Sequence, residues 1–321
     1  MTTALVRYFR REPGCLIAYV VLAAVVGVWL WLTPSMSLGS FTNTIGQKIP
    51  LAMVAIGATI VIITRGIDLS VGGTLALVNV IIAKGAAADG NVIMWTAVAL
   101  IAAILVGVVN GVLVAYAKLP ALIVTLATLS ILSGIALYIL PTPGGGVPQW
   151  FSDIPLILIG PIPLAAVLLI AIPVVLWLPI RKSRLGTALF AVGNDEAAAF
   201  VSGVKVQRTT ALAYVFSALF SGIGGVFITM ITVSGDPNIG VPFTLNSIAA
   251  AVLGGAALAG GRGTIAGALA GAFILSFITN LLFSMGIESY WQYTVTGGLL
   301  VAALAVPYLA GAIRPRKVVA Q

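Results

Sequence analysis

The chain reads as long apolar runs broken by short polar or charged punctuation. Ten of these runs predict membrane-spanning helices, each close to the ~20 residues that a bilayer core demands. They are Leu16–Leu32, Ile45–Thr64, Ile67–Ala83, Val92–Ala117, Leu119–Leu140, a run within Ile154–Ile180, Thr209–Val233, Leu245–Ala259, Thr264–Met285 and Tyr290–Ile313. Pro161, Pro163 and Pro173 predict an irregular sixth span. The third and eighth runs are short and Gly-rich, containing VGGTLALVN and FTLNSIAAAVLGG, and each precedes a longer span. Short, glycine-interrupted segments at corresponding places in two halves predict an inverted repeat around a midplane pathway. The fold class is therefore an all-α polytopic membrane protein, one transmembrane domain over residues 1–321.

Composition removes the soluble alternatives. Of 321 residues, 60% are apolar and only 7% charged, and mean hydropathy is +1.17. A soluble domain carries about 25% charged residues, so neither a soluble globule nor a separate catalytic domain fits. The net charge of +8 does not indicate nucleic acid, because no basic stripe with interleaved aromatics stands outside the apolar runs. Fourteen of the sixteen Lys and Arg fall in one set of loops and termini, and only Lys48 and Lys84 in the other. That bias makes the first set cytoplasmic, with both termini inside. The first run follows Arg7, Arg10 and Arg11, exceeds a usual signal h-region, and carries Trp29 and Trp31 as interfacial aromatics. It reads as a retained span.

The chemistry on offer is sparse. There is no histidine and one cysteine, Cys15, so an internal disulfide is impossible and a metal site is not expected. A phosphate-binding loop needs G-x-x-x-x-G-K-[ST], and the nearest stretch, Gly255 to Thr264, has Gly261 where the lysine belongs. The chain therefore carries no ATPase of its own. Gly263, Gly267 and Gly271, and likewise Gly107 and Gly111, recur four apart and predict close helix packing. The eight acids lie at loops or span ends, which argues against ion-coupled transport and against hydrolysis. Neutral polar residues within the spans suit an uncharged, hydroxyl-rich solute. Thr125 and Thr128 after Pro120, then Asn79 and Asn246 in the short spans, are the pathway candidates. The alternative for each is a bond that ties helices together.

Two loops stand out. The outer segment Pro141–Pro155 is rich in turn formers and carries Trp150 and Phe151. It is either a surface loop that touches a partner or a connector with interfacial aromatics. The cytoplasmic segment Arg181–Arg208 is the longest hydrophilic stretch. Within it Asn194 predicts an N-cap, Asp195 and Glu196 a first turn favoured by the helix dipole, and Gly203 a C-cap. Ala197 to Ala199 continue that helix, and Ala198, Phe200 and Val201 offer apolar contact. Two turns are too short to be stable alone, so the helix needs a surface, either a partner or the membrane interface.

Four stretches carry a family resemblance that runs nearly the whole length of the chain. They are GIDLSVGG (Gly66–Gly73), LGTALFAVGNDEAAAFVSGVKV (Leu185–Val206), LGGAALAGGRGTIAGALAGA (Leu253–Ala272) and ESYWQYTVTGGLLV (Glu288–Val301). Together they resemble sugar-importer ABC permeases of the ribose, xylose and galactose type. The resemblance implies a permease that binds no cofactor itself, paired with a second permease, identical or paralogous. It further implies a cytoplasmic subunit that holds ATP and magnesium, and a periplasmic sugar-binding protein. It assigns Gly193 to Gly203 to the coupling helix that fits a cleft on the ATPase. Gly66, Asp68, Ser70 and Gly72 belong to the signature. There Gly66 is expected to permit a tight reversal, and Asp68 to accept from free helix amides in a structural and gating role. The competing readings are a stand-alone secondary sugar carrier and a branched-chain amino-acid ABC permease.

Overall fold

Ile49–Ile63 (α3) shows how the runs sort themselves. It is apolar on every side and buried along its whole length, as a helix without a polar face must be. A computed structural model describes residues 13–34, 38–160, 162–288 and scattered positions from 291 to 301. Before α3 come α1 (Pro13–Leu32) and α2 (Leu38–Gly46). After it run α4 (Ser70–Asp89), α5 (Val92–Ala115), α6 (Ala121–Ile139) and the short α7 (Gln149–Asp153). A hairpin of β1 (Leu158–Ile159) and β2 (Ile162–Pro163) leads into α8 (Leu164–Lys182). Then follow α9 (Arg184–Asn194), α10 (Glu196–Val201), α11 (Val206–Thr232), α12 (Val241–Leu253) and α13 (Ile265–Ser284).

Among the described residues, eight helices are long and apolar enough to cross a membrane, and α12 is a shorter apolar ninth. The tenth expected span and the basic residues of both termini fall largely outside the described residues. The all-α polytopic architecture stands. The boundaries change at three places. The third span is not short, because α4 runs past Ala83 and the exposed Lys84 to Asp89. Of the two segments expected to match as repeats, only α12 is short. It begins at Val241, four residues before the expected start. The sixth span starts at Leu164, and its irregular lead-in is the antiparallel hairpin pairing Ile159 with Ile162.

Packing follows small residues. In α5, Ala99, Ala103, Gly107 and Gly111 recur every four residues and are buried, so they form one face. A Cβ on Gly107 would lie 2.7 Å from the Cα of Val215, and one on Gly111 would lie 2.6 Å from the carbonyl of Ala211. That face is pressed against α11, which also packs on α3 and α4. The opposite face of α5 leaves Ile101, Leu105 and Val112 exposed, as a lipid-facing surface does. Gly267 and Gly271 meet the carbonyls of Gly254 and Ala250 in the same way, joining α13 to α12. Gly263 lies outside that helix, because Thr264 is the N-cap. Trp29 is not an interfacial anchor. It is buried against Phe277 with ring centroids 5.0 Å apart, which seats α1 on α13, while Trp31 faces outward.

Candidate functional site

Between α3 and α4 the chain reverses within a few residues. Arg65, not Gly66, takes the left-handed conformation there, with φ 64°. Gly66 serves by lacking a side chain, since a Cβ would lie 2.6 Å from the hydroxyl of Tyr214. A left-handed non-glycine residue costs roughly 1–2 kcal/mol. The Arg65 guanidinium offsets this by donating from Nε to the carbonyls of Gly193 (2.8 Å) and Ala259 (3.0 Å), and from Nη2 to that of Asn194 (2.5 Å). Charge-assisted bonds are stronger than neutral ones, so together they help hold this turn despite the strain. Gly193 and Asn194 close α9, where carbonyls lack helical partners and the dipole end is negative. The amide of Gly261 donates to the carbonyl of Ile63 at 2.9 Å. Arg65 therefore joins three connections: α3–α4, the end of α9, and the glycine loop between α12 and α13.

One step further along the chain lies Asp68, 2% exposed. It forms no ion pair with Arg65. Its Oδ1 accepts from the Ser70 amide (2.9 Å) and hydroxyl (2.5 Å), and its Oδ2 from the Ser217 hydroxyl (2.8 Å). Asn110 donates to the Ser70 hydroxyl (2.9 Å) and accepts from Thr128 (2.6 Å). This buried chain links α4, α5, α6 and α11. A carboxyl this deep persists because hydrogen bonds replace its water. Gly72 allows contact rather than chemistry: a Cβ there would strike Gly240 and Thr244 at the start of α12.

The segment after α8 forms two helices rather than one. Ser183 caps α9, its hydroxyl accepting from the amides of Leu185 (3.1 Å) and Gly186 (3.5 Å). Leu189 and Val192 bury α9 against the bundle, and Arg181 stacks 4.4 Å over the Phe190 ring. The N-cap of α10 is Asp195, not Asn194: its carboxylate accepts from the Ala198 amide at 2.9 Å. Asn194 ends α9, donates to the Phe190 carbonyl, and lies against Gly261. Gly193 abuts the carbonyl of Ile63 so closely that no Cβ fits. Glu196, Ala197 and Ala198 are exposed, Ala199 is buried, and Gly203 (φ 81°) ends the turn. Phe200 is 72% and Val201 86% exposed, so α10 presents an apolar tip.

At the opposite end lie two recesses whose largely apolar walls carry a few polar groups. One, of about 540 Å³, is lined by Asn43, Gln47, Gln149, Ser152 and Asp153 among others. The other, of about 170 Å³, is lined by Gln47, Lys48, Asn246, Ser276 and Thr279 together with apolar neighbours. Lys48 donates to Asn280 at 2.9 Å. Of the four expected pathway residues, only Asn246 borders these recesses. The Thr125 hydroxyl donates to the Ala121 carbonyl of its own helix, and the one Thr128 hydroxyl proton lies between Asn110 of α5 and the Val124 carbonyl. Asn79 is buried and donates to Thr229 (2.9 Å) and the Ser234 carbonyl (3.0 Å), while accepting from the Asp236 amide (2.7 Å). It pins the α11–α12 connection to α4. The Pro/Gly-rich segment 141–155 is ordered: Gly144 and Gly235 exchange backbone bonds, Phe151 is buried, and Trp150 is exposed.

The sequence reading placed Arg65 beside Asp68 at the inner turn without its partners, and it gave Gln47 no role. Arg65 was visible as a lone cation between two apolar runs, but its partners are distant in the chain. Gln47 carried only the signal of a polar residue directly before the most buried helix. Among the described residues no group of His, Cys, Asp or Glu is placed to hold a metal ion.

Residues 40–304 match the family model described as the permease component of the branched-chain amino acid transport system. The chain is 34% identical to the ribose import permease protein RbsC of Escherichia coli, over 95% of this chain and 98% of that one. It is 32% identical to the protein of that name from Bacillus subtilis, over 82% of each chain. The galactose/methyl galactoside import permease protein MglC of Haemophilus influenzae is 30% identical, over 91% of this chain and 93% of that one. No solved structure matches. With the helical bundle, its lipid-facing apolar surface and a family match over most of its length, this chain belongs to the family of membrane-embedded permease components.

Proposed function

We propose that the chain is the membrane-spanning subunit of an ATP-driven importer, and that its cargo is a monosaccharide. The names of its ribose and galactose relatives support the cargo class, as do the neutral polar side chains of Asn43, Gln47, Gln149, Asn246 and Ser276 set into the largely apolar walls of the outer recesses. The positive-inside bias makes the end that carries Arg65, Lys118, Arg181, Lys205, Arg208 and Arg262 cytoplasmic. There α10 is the coupling helix. Its exposed Phe200 and Val201 enter a cleft on a separate ATP-binding subunit, which holds the nucleotide and its magnesium. A second permease completes the membrane core, and a periplasmic binding protein delivers sugar to the outer side.

One observation carries the reading: an apolar tip on a six-residue helix whose base is clamped to the bundle through α9 and Arg65. An apolar tip of this kind, held out from the bundle at the cytoplasmic end, offers a surface for a partner to cover. Its base is fixed to the α3–α4 turn, so displacement of α10 pulls on the Asp68 chain and on α11. Sugar passes the outer recesses, with Gln47, Asn246 and Ser276 as the groups that exchange hydrogen bonds with its hydroxyls.

The test is uptake of labelled ribose and galactose into proteoliposomes holding the permease, its ATPase and its binding protein. Uptake is expected to require ATP and the binding protein and to ignore a protonophore. Uptake by the permease alone, abolished by a protonophore, would contradict the proposal and favour a secondary carrier. Uptake of leucine but of neither sugar would overturn the cargo class.

A further inference from the structure

Lys48 is a cation where charge is costly, and the transport route described above gives it no role. By sequence it counts among the outer charges. In the structure it stands half-buried directly before α3. The carbonyl of Pro50, two residues on, lies 3.0 Å from where a Cβ on Gly224 would be. Gly224 precedes the outer end of α11 by eight residues, about 12 Å of helix. Lys48 is therefore sunk below the outer rim of the bundle, at membrane depth. From the other side comes α12, which runs outward from the cytoplasmic loop that holds Arg262. Its 13 residues cover about 20 Å, short of a hydrocarbon core of ~30 Å. Its N-terminal end thus lies within the bilayer. Pro242 and Phe243 of its first turn line the same recess of about 170 Å³ as Lys48.

Three features make that recess electropositive. The Lys48 ammonium is the one charge among its lining residues, and it donates to a neutral group, Oδ1 of Asn280 at 2.9 Å. The other two are helix ends: α3 begins after Lys48 and α12 after Gly240, and neither N-terminus has a side-chain cap. Both positive dipole ends stay uncompensated, and a cation beside them is unfavourable. No acid lines the recess to pair with it. An ionisable group kept inside a membrane against such costs is kept for a function.

The neighbouring groups supply the need. Gln47, Asn246, Ser276 and Thr279 offer oxygens to the hydroxyls of a sugar, and the same oxygens would hold a sodium ion. A membrane potential that is negative inside drives cations in the direction of import. A fixed positive charge on the route raises the energy of a cation there and leaves a neutral solute unaffected, which is how electrostatic barriers work in membrane pores. We propose, on the footing of that sugar route, that Lys48 is its charge filter: the ammonium bars monovalent cations from the outer recess while a neutral sugar passes.

Proteoliposomes holding the permease, its ATPase and its binding protein, with a sodium-sensitive dye inside and a negative-inside potential, test this during uptake of labelled ribose or galactose. Wild type should import sugar with no more sodium entry than protein-free vesicles show. Lys48→Arg keeps the charge and should stay tight. Lys48→Glu reverses it, and sodium entry per sugar imported should rise at least about tenfold, the scale on which a focused charge changes local ion concentration. Sugar uptake by Lys48→Glu without added sodium entry would overturn the proposal. Should that variant not assemble, Lys48→Gln keeps a donor for Asn280 and removes the charge, and sodium entry equal to wild type would overturn the proposal there too. Uptake weakened in Lys48→Gln through a raised KM, with the vesicles still tight, would also overturn it, by making the lysine a cargo contact. Failure of the wild type to import sugar with ATP is a separate result, which would refute the transport route and the filter with it.

Discussion

At the cytoplasmic end the Arg65 guanidinium and the Gly261–Ile63 backbone bond draw three connections into close contact, whereas at the outer end the Asn79 side chain and the Gly144–Gly235 backbone bridge join connections that leave recesses beside them. The inner junction depends on the absence of side chains at Gly66, Gly193 and Gly261, where any Cβ would meet a neighbour. The outer junction depends on the Asn79 amide, which satisfies groups from two segments, and on the paired backbone bonds of Gly144 and Gly235. A junction without slack transmits displacement, because packed interfaces shift between discrete arrangements rather than deform. A junction held at a few separate points leaves room for a solute between them. The two ends are thus built for different tasks, the inner for coupling and the outer for admission.

The strongest way to break this contrast is to put a methyl group into the inner junction. Gly193→Ala places a Cβ against the Ile63 carbonyl and should part α9 from α3. Overpacking of this kind costs about 1–3 kcal/mol. Uptake should fall more than about tenfold, the rate equivalent of roughly 1.4 kcal/mol, while the permease still inserts. Wild-type uptake in proteoliposomes from this variant would show that the junction has slack.

Asp68 sharpens the comparison next. Asp68→Ala strands three donors, from the Ser70 amide and the Ser70 and Ser217 hydroxyls, and should cost about 3 kcal/mol. Asp68→Asn keeps one acceptor oxygen and a donor that a rotated Ser217 hydroxyl can accept, so it should lose markedly less. Thermal unfolding of the two variants in one detergent checks the order, and equal losses would remove the hydrogen-bond account.

At the outer end, Asn79→Ala frees the Ser234–Asp236 segment from α4 and should cost about 1–2 kcal/mol. Its mark should be faster hydrogen exchange at residues 233–240 with the ATPase still co-purifying. Loss of the ATPase from that variant would mean that the two ends are not separate. The smallest effect is expected at Thr125. Its closest hydrogen bond goes to the Ala121 carbonyl of its own helix, so Thr125→Val should change uptake by less than about twofold. Loss of sugar uptake there, with assembly intact, would return α6 to the pathway.

How much of this was legible in the sequence depended on distance along the chain. Apolar runs gave the spans because burial in lipid is a local property of composition. The four-residue glycine spacing in α5 gave a packing face because helical geometry is local too. The caps of α10 were nearly legible, and its N-cap was misplaced by one residue because Asn194 and Asp195 are both good cappers. Lys84 was misread as the end of a short span, since its exposure on a continuing helix depends on what surrounds α4. The Arg65 junction stayed hidden because it joins residues 128 and 194 positions apart in the chain. For Thr125 and Thr128 the sequence left lining and helix-tying roles open, because a polar group in an apolar span does not declare which neighbour it faces.

The central claim is that the exposed tip of α10, fixed to the bundle through α9 and Arg65, is where an ATPase drives this permease. Phe200→Asp in the complete importer tests it most directly, since Phe200 is largely exposed and the change leaves the bundle intact. The variant should insert and retain the wild-type unfolding temperature, yet ATPase co-purification and ATP-driven sugar uptake should both drop by at least about tenfold, the scale expected for a charge in an apolar anchor pocket. Normal co-purification together with normal uptake would contradict the account.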